Sequence, residues 1–143
     1  MDEQSVRVAV AEAVERLFAS QPDIFGFTPE SAQTEWNLTH HLARELSALL
    51  PGFVYDVDIR KPGAGDRRPD IVFHRRGTHE DNFLVIEVKR DSPKAVAGEL
   101  EKIRRHWFAE PYLYRFGVAL NLNSDFTYQL EIIANPVNPK NEC

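Results

Sequence analysis

The chain has 143 residues, 43% of them hydrophobic, and a formal net charge of −5. That length suits one domain, 1–143, able to bury roughly two thirds of its unfolded surface; no separate target-recognition domain is expected, and no apolar run approaches the roughly 20 residues of a membrane span, so no membrane partner is expected. The only cysteine is Cys143, which excludes an internal disulfide and makes a reducing cytoplasm the expected setting.

The first predicted element is an amphipathic helix at about 4–19, with Val6, Val10, Ala13 and Leu17 on its buried side. Met1 to Phe18 has neither the basic start nor the cleavage site of a signal peptide. A second helix spans about 29–50, with Thr28 as its cap, Pro29 at its first position and Glu30 in its first turn. At roughly 100° per residue, Leu38, Leu42, Leu46 and Leu49 form one stripe, and Glu35 falls in the same arc. On the helix alone, two readings of Glu35 stand level. It is a solvated first-turn acid favoured by the helix dipole, or a carboxylate facing the sheet that needs a cation, a metal or a fraying helix end.

Strand 53–60 follows, with Phe53, Tyr55, Val57 and Ile59 on one face. The stretch Lys61-Pro62-Gly63-Ala64-Gly65 lacks the lysine of a P-loop and the third glycine of a dinucleotide fingerprint. It reads as a mobile connection whose basic flanks make it a substrate-contacting loop. Strands 70–76 and 83–90 come next, joined by a turn through Gly77 to Asn82 and expected to pair antiparallel. A helix at about 93–108 carries Val96, Leu100, Ile103 and Trp107 as its stripe, and a strand near 114–122 and another from Phe126 to Ala134 complete the chain. The expectation is an α/β fold with a mixed central sheet flanked by helices. A helical extension at about 1–28 precedes an α-β-β-β-α-β core at about 29–122, and a fifth strand and tail occupy about 123–143.

The chemistry concentrates between Arg68 and Arg90. Pro69-Asp70 opens one apolar run, and Glu87-Val88-Lys89 lies near the end of the next. Alternate side chains of a strand share a face, so Glu87 and Lys89 project together, and the antiparallel return brings Asp70 close to Glu87. Two carboxylates and an amine then converge on one sheet edge. Phosphodiester hydrolysis needs such a group: hard oxygens hold Mg²⁺, which polarises the phosphate and acidifies a bound water. The lysine positions that water or offsets developing negative charge.

These residues resemble the signature of the PD-(D/E)xK nuclease superfamily, the restriction-endonuclease-like fold, with Asp70 as the motif aspartate and Glu87 and Lys89 as its second half. The order of elements over about 29–122 is similar to that core as well. The resemblance implies a small stand-alone nuclease acting on nucleic acid, DNA before RNA. It implies Mg²⁺ or Mn²⁺ held by Asp70 and Glu87 with the Val88 carbonyl, Glu35 as a direct or water-mediated ligand, and Lys89 orienting the attacking water. The competing expectation is a catalytically silent domain of the same fold that binds nucleic acid or protein. Keeping three carboxylates and the lysine argues for the enzyme, because an idle buried cluster of like charge is costly without a cation. A symmetric homodimer would supply the two sites that cutting both strands of a duplex takes, although no residue pattern specifies one.

The acidity is local. Residues 1–35 hold seven acids and two bases, whereas 36–143 hold fifteen of each. Arg60, Lys61, Arg67 and Arg68 are the candidate phosphate contacts. The basic residues Lys94, Lys102, Arg104 and Arg105 are better read as a solvated helix face, with Glu99 and Glu101 in pairing distance. The histidines show no zinc spacing; His41 and His74 are the two that would assist a site near Glu35 or Asp70. Trp36, Trp107, Tyr112 and Tyr114 read as core aromatics before base-stacking ones.

Overall fold

A computed structural model describes residues 1–26, 32–61 and 63–141. Helix α1 (Glu3–Ser20) starts where the Asp2 carboxylate accepts a hydrogen bond of 2.8 Å from the Ser5 N–H, which satisfies one of the free donors of its first turn. It buries Val6, Val10, Ala13 and Leu17, as the periodicity predicts, together with Ala9 and Val14. Helix α2 (Ala32–Leu49) buries Leu38, Leu42 and Leu46, whereas Leu49 is partly buried. The capping assigned to Thr28, Pro29 and Glu30 lies outside the described residues.

The sheet has five strands in sequential order: β1 (Val54–Val57), β2 (Ile71–His74), β3 (Leu84–Arg90), β4 (Phe116–Leu122) and β5 (Tyr128–Ala134). β3 and β4 are parallel and every other neighbouring pair is antiparallel, so the sheet is mixed and the fold α/β. The parallel pair needs a crossover, supplied by a short 3₁₀ turn at Pro93–Ala95, helix α3 (Val96–Lys102) and a π-helical turn at Ile103–Trp107. The single helix expected over 93–108 is therefore three conformations in series.

β1 is shorter than the strand expected over 53–60. Asp58 takes φ 52°, a left-handed conformation that ends the pleat. Phe53, Tyr55 and Val57 pack on one face of the sheet with α1 and α2, and Ile59 packs on the other with Ala64, Tyr112 and Tyr114. The loop after it is packed where a mobile connection was expected. Lys61 and Ala64 are buried, and the Ala64 N–H donates to the Lys61 carbonyl at 3.1 Å.

Two hydrophobic layers result. α1 and α2 cover the face carrying Ile71, Phe73, Ile86, Val118 and Leu120, and the π turn with Phe108, Tyr112 and Tyr114 covers Val72 and Val85. α1 contributes six fully or nearly buried side chains to the larger layer, so the N-terminal helix packs into the hydrophobic core. No described helix is long and apolar enough to cross a membrane.

Candidate functional site

The strand pairing dictates the centre of the site. Ile71 pairs with Ile86, so one step further along the antiparallel register Asp70 stands opposite Glu87. β2 ends there while β3 continues to Arg90. The Asp70 carboxylate takes over from the missing strand: its Oδ2 accepts a hydrogen bond of 2.7 Å from the Val88 N–H. Glu87 and Lys89 project from β3 to the same side as Asp70, as their alternation predicts, and the sheet end opens into a cleft of about 480 Å³.

That cleft is lined by Glu35, Asp70, Glu87 and Lys89, and also by Arg67 and Arg68. Arg60 and Lys61 are not in it. They line a second pocket with Asp56, His74 and Arg76, where the Lys61 ammonium donates to His74 Nδ1 at 3.0 Å. Neither His41 nor His74 reaches the cleft; His106 does.

Lys102 and Arg105 of the helix face expected to be solvated line the cleft too, and so does Glu99, their expected pairing partner. It is 5% exposed and lines the cleft from α3. Its Oε1 lies 3.1 Å from Lys102 Nζ and 3.7 Å from Lys89 Nζ, so it holds the Lys89 ammonium at the cleft wall. The signal was available: Glu99 is three residues after Val96 and four before Ile103, in the arc of the apolar stripe, by the criterion that singled out Glu35. Trp36 also departs from expectation, since it is 68% exposed at the cleft while Trp107, Tyr112 and Tyr114 are core.

The two central carboxyls are electrostatically linked. Glu87 is raised well above the usual carboxylate range, by burial first, then by the charges of Asp70 and Glu99 and a hydrogen bond to Asp70, against the opposing pull of Lys89. Asp70 is raised by burial, although the Val88 N–H, the hydrogen bond from Glu87 and the Lys89 charge pull it down while the Glu35 charge pushes it up. Of the two, Glu87 is the one favoured to hold a proton, which its hydrogen bond directs to Asp70. Like charges in contact are relieved by that proton, and a divalent cation would relieve them by other means.

Among the described residues, no three His, Cys, Asp or Glu side chains form a ready-made metal-holding group. Asp70 and Glu87 fit a hard cation in donor chemistry and proximity; Glu35 and Glu99 line the same cleft but stand off from that pair. The chain matches no family model, no curated protein and no solved structure.

Proposed function

We propose that the protein is a nuclease of the PD-(D/E)xK type that hydrolyses phosphodiester bonds, in DNA first, with Mg²⁺ or Mn²⁺ at Asp70 and Glu87. The observation that carries this reading is the Asp70–Glu87 pair, two carboxyls placed opposite each other by the strand register in an open cleft, both with proton affinity raised by burial first and Glu87 further by the Asp70 charge. Such a pair adds little to a fold, and perturbed carboxyls gathered in a cleft mark functional sites. Glu35 would complete the ligand set by turning toward the pair or through water, which Mg²⁺ retains readily. When bound, the cation would polarise the phosphate and acidify a water.

The chain's own residues supply the rest. Asp70 is fixed by the Val88 N–H, so its second oxygen keeps one direction. Lys89, steadied by Glu99, presents an ammonium beside the carboxyl pair, where it orients a water or offsets charge on a pentavalent phosphorus. Arg67 and Arg68 at the rim draw in a polyanion although the chain as a whole is acidic.

The test is cleavage of labelled single-stranded, duplex and branched DNA and RNA with Mg²⁺, Mn²⁺ or excess chelator, by wild-type and Lys89→Met proteins purified identically. Wild-type cleavage should need the metal, and Lys89→Met should lower it by about 10²- to 10³-fold while substrate binding persists. Equal cleavage by the two proteins would remove Lys89 from the mechanism. Binding without any metal-dependent cleavage by the wild-type would favour the silent module.

A further inference from the structure

The two tryptophans have opposite environments. Trp107 is 3% exposed and packs edge-on against Tyr112 with ring centroids 5.4 Å apart, whereas Trp36 is 68% exposed beside Glu35 on the α2 wall of the cleft. An indole left in water is the unfavourable case for the largest side chain, and this one borders a site.

The same cleft gathers a group of cations. Arg67 from the loop, and Lys102, Arg105 and His106 from the end of the crossover, all line the same cleft. They crowd one another: His106 has its proton affinity lowered by burial first, then by the charges of Arg67, Arg105 and Lys102. Lys102 is paired with Glu99, but neither Arg67 nor Arg105 has an ion-pair partner among the described residues. An anion bound there would relieve this repulsion.

We infer that the cleft mouth is a subsite for one unpaired nucleotide, its base stacked on Trp36 and its phosphate held by Arg67, Arg105 and His106. The assignment rests on the nuclease reading only for the bond that is cut beside it, and it narrows the substrate class. In a duplex both faces of a base are covered by its neighbours, so only a single strand, a flap or a frayed end can offer a face to an indole. The cleft volume, about 480 Å³, is that of a small-ligand site and suits one splayed nucleotide.

The test measures affinity for a short end-labelled oligothymidylate and for a blunt duplex of the same length, in chelator so that nothing is cut. The wild-type protein should prefer the single strand, and binding should quench its tryptophan fluorescence. Trp36→Ala should weaken single-strand binding roughly ten- to a hundred-fold and abolish the quench, with duplex binding unchanged and most of the affinity restored in Trp36→Phe. Because Trp36 is exposed, the variant should fold, which circular dichroism checks. In NMR titrations His106 should gain proton affinity when the oligothymidylate binds. Trp36→Ala binding the single strand as tightly as wild-type, or a wild-type preference for the duplex, would overturn the subsite. The nuclease reading is scored apart from it, by metal-dependent cleavage. Cleavage lost in Lys89→Met with Trp36→Ala binding normally would sink the subsite alone, and single-strand preference with no metal-dependent cleavage would sink the catalytic reading alone.

Discussion

Ionising Glu87 costs the folded chain free energy, because burial and the neighbouring Asp70 and Glu99 charges all oppose it. The sign follows from linkage. A carboxyl whose folded pKa lies above its unfolded value keeps a proton that the unfolded chain has lost, so stability falls as pH rises from the ordinary carboxylate range through the folded value. Glu87→Gln keeps a hydrogen-bond donor toward Asp70 and removes the titration. In chelator the variant should melt above wild-type at neutral pH, by roughly 2–4 °C for each kcal/mol recovered, and the gap should close toward acid pH. Mn²⁺ or Mg²⁺ should raise the wild-type melting temperature, more so at higher pH because the cation displaces a proton, and Glu87→Gln and Asp70→Asn should each show a smaller rise. A Gln variant less stable than wild-type across the pH range, with an undiminished metal response, would dissolve the coupled pair as a metal site.

The crossover between the parallel strands packs tightly over Gly117 of β4. A Cβ built on Gly117 would meet Ile103 Cγ2 at 2.5 Å and the Phe108 ring at 3.3 Å, so β4 admits the π turn only because glycine stands there. Gly117→Ala should cost about 1–3 kcal/mol by overpacking. Since the π turn carries Arg105 and His106 into the cleft, the variant should also weaken single-strand binding. Thermal melts and the oligothymidylate titration read the two effects, and unchanged values in both would show that the turn adjusts freely. Neither this contact nor the π turn was legible in the sequence, because the apolar spacing of Val96, Leu100, Ile103 and Trp107 suits a regular helix throughout, and the approach of Ile103 and Phe108 to Gly117 is a tertiary contact that spacing does not encode. The early end of β1 had the same origin: Tyr55, Val57 and Ile59 alternate as a strand should, but the left-handed Asp58 is a conformation that pattern does not encode. What could be read was whatever depends on period and order. The strand alternation put Glu87 and Lys89 together, and the hairpin put Asp70 opposite them. Lys61 was misjudged as a surface contact because a charged loop residue ordinarily stays in water, and its burial depends on partners 5 and 13 positions away, Asp56 and His74.

At the scale of the molecule, those partners form a second polar network, buried at Lys61 and His74 and open to solvent at Arg76, that ties the cleft loop to the sheet. His74 Nε2 donates to Asp56 Oδ2 at 2.7 Å, leaving Nδ1 to accept from the Lys61 ammonium, and Arg76 closes on both Asp56 oxygens at 3.0 and 2.7 Å. β1, β2 and the start of the loop that carries Arg67, Arg68 and Asp70 are thus joined through side chains. The Lys61 ammonium also lies over the Tyr114 ring of the second core layer, 5.2 Å from its centroid. Burial lowers Lys61 to about 8, against the opposing charge of Asp56. The unfolded chain holds this proton until about pH 10.4, so between about 8 and 10 it binds more protons than the native state and stability should rise with pH. Denaturant unfolding at constant ionic strength across that window should show the midpoint of the wild-type climbing. Lys61→Met, although less stable because His74 Nδ1 loses its donor, should lose the climb. A wild-type midpoint that is flat or falling from pH 8 to 10, with Lys61→Met parallel to it, would show that the lysine is solvated in solution and that the loop is not held to the sheet by this network.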